Sequence, residues 1–150
     1  MKIILPTAGS VPDQRTAGYV INIAKRLNAQ LVVLRILTEN ETEPEGKQSL
    51  SLFIENGKEE KVPVSGILRR GDIALVIIEV AEEKSVDLII LGASHGEIVA
   101  EWLNAKAMEK TDIPVLIIPK WVTAANRSSP NCRARAGAKF GKDFNKAGTF

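Results

Sequence analysis

Apolar residues fall along the chain in two alternating rhythms: short continuous runs, and longer stretches with one apolar position every third or fourth residue. Ile3-Ile4-Leu5 predicts a strand that Pro6 ends, because proline lacks the N–H a ladder needs. Thr7-Ala8-Gly9-Ser10 reads as a turn and Pro12-Asp13 as a helix opening. Ala17, Val20, Ile21, Ala24 and Leu27 then repeat at helical spacing and mark one buried face. Leu31 to Leu37 is nearly all apolar, which suits a parallel strand covered on both sides, with Arg35 near its carboxyl end.

Residues 38–49 are polar and acidic and read as an exposed loop. The next piece has two readings. Leu50, Phe53 and Ile54 can face inward from a helix running to about Lys61, or Asn56-Gly57 can close a hairpin. The helix keeps the β-α alternation and is preferred. Val64 to Leu68 predicts a third strand, and Asp72 caps a helix whose core face is Ile73, Val76, Ile77 and Val80. Asp87 to Leu91 predicts a fourth strand, and a helix follows over Glu97 to Lys110 with Val99, Trp102, Leu103 and Ala107 inward. Val115 to Ile118, between Pro114 and Pro119, is the last strand.

Five strands alternating with four helices indicate a three-layer α/β sandwich around a mostly parallel sheet, with flavodoxin-like winding. Ligands in such sheets collect beyond the strand carboxyl ends where the winding reverses. The Ile3-to-Leu5 and Leu88-to-Leu91 strands are the natural pair to flank that point. After Lys120 the pattern stops, so the expected organisation is a domain over residues 1–120 and a flexible tail over 121–150.

Composition sharpens this only where it is uneven. Apolar residues make up 45% and charged residues 25%, an ordinary balance for a soluble chain. Net charge is +2, but residues 1–120 carry 14 basic and 17 acidic side chains, while residues 121–150 carry six and one. A basic tail on an acidic domain allows weak, salt-sensitive contacts with a polyanion. Without aromatic interleaving, nucleic acid is not the expected partner. Cys132 is alone, so no internal disulfide forms. No apolar run approaches the roughly 18 residues of a membrane span, and the first residues do not suit a signal peptide.

The stretch DLIILGASHGEIVAEW carries the candidate chemistry. Gly92 and Gly96 allow close approach to the following helix start, where Ser94 could donate to a phosphate. The turn holds no Lys or Arg, and Glu97 opens the helix, where a carboxylate satisfies the same N–H groups and repels an anion. GxxxxGK[ST] and GxGxxG are both absent. His95 is the only histidine, so a zinc site is not expected. Ser10 has no GxSxG elbow around it, and Asp13, Asp72 and Asp87 sit at helix or strand boundaries. Arg69-Arg70 ends the third strand on the ligand side, where a solvated charge pair is the plain reading.

Four segments in this order, KIILPTAGS, AGYVINIAKRLNAQLVVLRI, RRGDIALVIIEVAEEKSVDLIILGASHG and AMEKTDIPVLIIP, resemble the universal stress protein (UspA-type) family over about residues 2–120. The resemblance implies a five-stranded parallel sheet of order 3-2-1-4-5, cytoplasmic residence and frequent homodimers. It also implies a family divided into ATP binders and members that lack nucleotide binding. Binders carry G-x-x-G-x9-G-[ST] and an aspartate just after the first strand. Here Gly92 and Gly96 are one residue too far apart, Lys106 and Ala107 fall where Gly and Ser/Thr are expected, and Ala8 replaces the aspartate. The positions that would form the nucleotide site are Thr7, Ala8, Gly9, Ser10, Ile36, Gly92, Ser94, His95 and Gly96.

Losing one hydrogen bond to a charged group forfeits about 1.5–3 kcal/mol, and this chain lacks anchors at both ends of the nucleotide. The expected function is therefore a non-enzymatic regulatory or stress-response protein, without a cofactor, that acts as a homodimer and touches protein partners. The alternative is an ATP-binding member using Mg²⁺ or Mn²⁺, with slow hydrolysis or phosphate transfer. Val115, Leu116, Ile117 and Ile118 are the expected dimer interface, because an apolar edge strand needs covering and a two-fold mate can supply the cover.

Overall fold

The computed structural model describes residues 1–9, 14–92 and 97–118. Five strands, β1 (Lys2–Ala8), β2 (Gln30–Leu37), β3 (Val64–Arg70), β4 (Leu88–Gly92) and β5 (Val115–Ile118), form one sheet in the order β3-β2-β1-β4-β5. Every pairing is parallel. The helices are α1 (Gln14–Arg26), α2 (Glu43–Glu60), α3 (Ile73–Glu83) and α4 (Glu97–Asn104), followed by a 3-10 turn at Ala107–Glu109. Helices α1 and α2 pack together on one face of the sheet, and α3 and α4 on the other. None of the helices among the described residues is long and apolar enough to cross a membrane.

Strand β1 runs through Pro6 to Ala8, three residues past its expected end. The Asp87 N–H donates to the Lys2 carbonyl, and the Gln30 N–H to the Met1 carbonyl. Parallel strands alternate sides residue by residue, so even positions of β1 face β4 and odd ones face β2. Pro6 therefore turns its nitrogen toward β4, and that ladder already ends at Ile4↔Ile89. No hydrogen bond is lost, and the β2 ladder continues to Ala8↔Ile36.

The expected loop over residues 38–49 is a correction too. Helix α2 begins at Glu43, capped by Thr42, with Pro44 in its first turn. A capping box at Thr42 and Glu45 starts the helix despite weak apolar periodicity. The helix reading of the following segment holds, and Asn56-Gly57 lies buried inside α2, not at a hairpin. Gly46 and Gly57 let the helix press on the sheet: a Cβ at Gly46 would lie 2.6 Å from Leu37 Cδ2.

Three helices leave in the same way. Asn28, Lys61 and Ser85 adopt φ of 53°, 60° and 53°. The next residues, Ala29, Val62 and Val86, donate back to the carbonyls of Ala24, Gly57 and Ala81. This is the Schellman closure, and its trailing apolar residue is buried each time. Helix α4 ends at Asn104, short of the expected Lys110, and Lys106 takes φ of 52°.

The core on the α3/α4 face joins Ile4, Val32, Leu34, Ile36, Val76, Ile77, Val80, Ile89, Leu91 and Trp102. Asp72 accepts from the Leu75 N–H, as its capping role requires. Ile98, Trp102 and Ala107 are the inward residues of the last helical segment, whereas Leu103 and, just past α1, Leu27 are exposed. Leu103 lies in the last turn of α4 and Leu27 in the turn that follows α1, so each sits where its helix ends.

Candidate functional site

The carboxyl ends of β1, β2 and β3 open into two clefts separated by the loop 38–41. The first, about 640 Å³, is lined by Ala8, Gly9, Ile36, Leu37, Thr38, Glu39, Arg70, Gly71 and Ile73. The second, about 530 Å³, is lined by Gly9, Arg35, Thr38, Asn40, Glu41, Glu45, Gln48 and Ser49. The first reaches toward α3 through Ile36 and Ile73, whereas the second lies against α2 through Glu45, Gln48 and Ser49. Ile36 joins the α3/α4 core, while Arg35 and Leu37 lie against Gly46 of α2.

Arg35 organises this end of the molecule. It is only 2% exposed, and its Nε and Nη2 donate to Glu41 Oε2 and Oε1 at 3.0 and 3.2 Å. Nη1 donates to Thr7 Oγ1, and Nη2 also donates to the Gly9 carbonyl. A planar guanidinium suits this fork, and its burial is tolerable because the charge is paired. Arg70 provides a second tie, donating from Nη1 to the Thr38 carbonyl at 2.6 Å and from Nη2 to the Glu41 carbonyl at 2.7 Å. Arg69 instead pairs with Glu83 on the surface. The two adjacent arginines thus have separate jobs, and neither is simply solvated.

Just beyond the loop, the Thr42 side chain and then its backbone N–H hold the Glu45 carboxyl below the usual carboxylate range. The α2 N-terminus is in this way already occupied by its own residues.

Of the expected nucleotide-site residues, Ala8, Gly9 and Ile36 come together in the first cleft. Gly9 turns the chain with φ of 70°. Thr7 does not join them, because odd positions of β1 face the α1/α2 side, where its hydroxyl meets Arg35. Gly92 ends β4 and lines neither cleft. Ser10, Ser94, His95 and Gly96 lie outside the described residues, as do the tail over 121–150 and the Glu97 side chain. Sequence reading missed Arg35, Glu41 and Glu39 as site residues. A charged residue inside QLVVLRIL was the available signal for Arg35. Nothing local marked Glu41 among the seven glutamates of the region 39–60.

Strand β5 is a sheet edge, as expected. Leu116 and Ile117 are 42% and 44% exposed, Val115 is half-buried and Ile118 is buried.

Comparison with known proteins agrees with this architecture. The sequence profile of the universal stress protein family matches residues 1–119. A universal stress protein of Methanocaldococcus jannaschii is 25% identical over 139 residues, covering 79% of this chain and 82% of that protein. The universal stress protein from Archaeoglobus fulgidus, solved in complex with dAMP, superposes with a TM-score of 0.61 at 18% identity, covering 79% of this chain and 98% of that one. An Arabidopsis thaliana universal stress protein family protein with AMP bound gives 0.56 at 17% identity, covering 78% and 90%. At these identities the superpositions speak for the fold.

Proposed function

The chain belongs to the universal stress protein family, and from that premise we propose that it is a non-enzymatic regulatory or stress-response protein. In this reading it works in the cytoplasm as a homodimer, touches protein partners, needs no cofactor and does not bind ATP tightly. The observation that carries the reading is the end of β1. Ala8 lines the first cleft with no side-chain acceptor, the Arg70 guanidinium there is already bonded to the Thr38 and Glu41 carbonyls, and Glu39 adds a carboxylate to the same lining. A ribose or phosphate entering there would have to compete with those bonds, each charge-assisted contact being worth about 1.5–3 kcal/mol.

Self-association is supported by the apolar edge at β5, whose exposed Leu116 and Ile117 a two-fold mate would cover.

A second reading is an ATP-binding member using Mg²⁺ or Mn²⁺. It is favoured by the size of the first cleft and by the fold neighbours solved with dAMP and AMP. Calorimetric titration with ATP and Mg²⁺ separates the two. The expected result is no saturation in the micromolar range; a micromolar isotherm at one site per chain would put the second reading first.

A further inference from the structure

We propose that Arg35 is an anion seat held shut by this chain's own Glu41, and that its ligand is a small molecule carrying a carboxylate or phosphate group. The inference concerns the α2 side of the sheet end and does not depend on how the Ala8 cleft treats ATP.

The seat is built before any ligand arrives. Thr7 Oγ1 and the Gly9 carbonyl accept from Nη1 and Nη2 and fix the plane of the guanidinium from the β1 side. The remaining edge, Nε with Nη2, is met by both carboxylate oxygens of Glu41. A planar two-oxygen acceptor is what a ligand carboxylate or phosphate would present to that edge. Glu41 thus occupies the position of a ligand.

Its tether is removable. Glu41 stands between β2 and α2 in a tight turn, its N–H bonded to the Thr38 carbonyl at 3.2 Å. The other tie comes from Arg70, which is exposed, so water can replace the carbonyls it holds. The same four residues divide two clefts that share Gly9 and Thr38 in their linings. Moving the loop outward would join the clefts and uncover Arg35 without disturbing β1, β2 or the capped start of α2. An incoming anion must displace Glu41, so the intact protein binds it more weakly than a chain lacking that carboxylate. The factor is the ratio of closed to open molecules, expected at about tenfold or more.

The test uses full-length Glu41→Ala, melted while sodium formate, sodium acetate or inorganic phosphate is titrated at ionic strength held constant with sodium chloride. The expected result is a lowered Tm that recovers saturably with at least one anion. The wild type and the double variant Arg35→Met/Glu41→Ala should stay flat over the same range. Recovery with formate or acetate identifies a carboxylate ligand, and recovery with phosphate identifies a phosphate ligand. No saturable recovery, recovery that survives removal of Arg35, or an equal response in the wild type overturns the proposal. Should Glu41→Ala fail to fold, Glu41→Gln is followed by the Arg35 Nε–Hε resonance. A saturable shift in that variant but not in the wild type supports the seat, and an unmoved resonance refutes it.

Discussion

The Thr42 hydroxyl and the Glu45 carboxylate hold each other across the first turn of α2. Thr42 donates to Glu45 Oε2 from its N–H at 3.0 Å and from its hydroxyl at 2.7 Å, while the Glu45 N–H donates back to Thr42 Oγ1 at 3.4 Å. That reciprocal cap makes a helix of a segment whose composition reads as loop, and it fixes the far end of the loop that carries Glu41.

Removing the cap should therefore weaken the whole fold. Thr42→Ala is expected to lose about 1 kcal/mol in urea unfolding at neutral pH. The Glu45 carboxyl is depressed in the folded chain, first by the Thr42 side chain and then by its N–H. A depressed carboxyl contributes stability above its unfolded pKa and loses it as pH falls through the folded value. The gap between wild type and Glu45→Gln should accordingly narrow in acid, below the ordinary carboxylate range. A gap that is constant with pH would mean the carboxylate charge has no part in the cap.

Gly57 should resist the substitution that helix propensity recommends. Alanine is the better helix former by about 1 kcal/mol. A Cβ at Gly57, however, would run into Val64 Cγ2 and lie 2.9 Å from the Val62 carbonyl oxygen. Gly57→Ala is expected to destabilise by about 1–3 kcal/mol, the usual scale of overpacking. Val64→Ala in the same chain should restore part of the loss, since it clears the methyl but not the carbonyl. Chemical denaturation of the single and double variants measures both.

The dimer expected at β5 can be tested through the backbone. The Ile89 N–H donates to the Pro114 carbonyl, so even positions of β5 face β4 and odd positions face outward. Ile117→Pro removes an outward N–H and leaves the β4 ladder whole. Sedimentation velocity should show the wild type as a dimer and this variant shifted to monomer, with unchanged far-ultraviolet circular dichroism. A wild-type monomer, or a variant that remains fully dimeric, would rule out pairing along this edge.

The sequence carried the alternation of strands and helices because burial on both faces leaves a periodic record. β2 is almost wholly apolar, and α1 places Ala17, Val20, Ile21 and Ala24 inward at helical spacing. The Asp72 cap was legible because its bond is local, reaching Leu75 three residues on. The four segments in order also carried the family and the strand order.

Tertiary structure decided what depends on partners distant in sequence. Pro6 continues a strand only because β4 has already left that ladder. Asn28, Lys61 and Ser85 take left-handed conformations because the residue after each is drawn into the core. Thr7 and Ala8 are neighbours in sequence, yet the pleat sends one to Arg35 and the other to the first cleft. The pairing of Arg35 with Glu41 arises where β1, β2 and the loop before α2 converge, so the residue pattern behind the fold did not reveal that pair. Periodicity records which side of an element faces the core. It does not record which charged groups meet once several chain segments end at the same place.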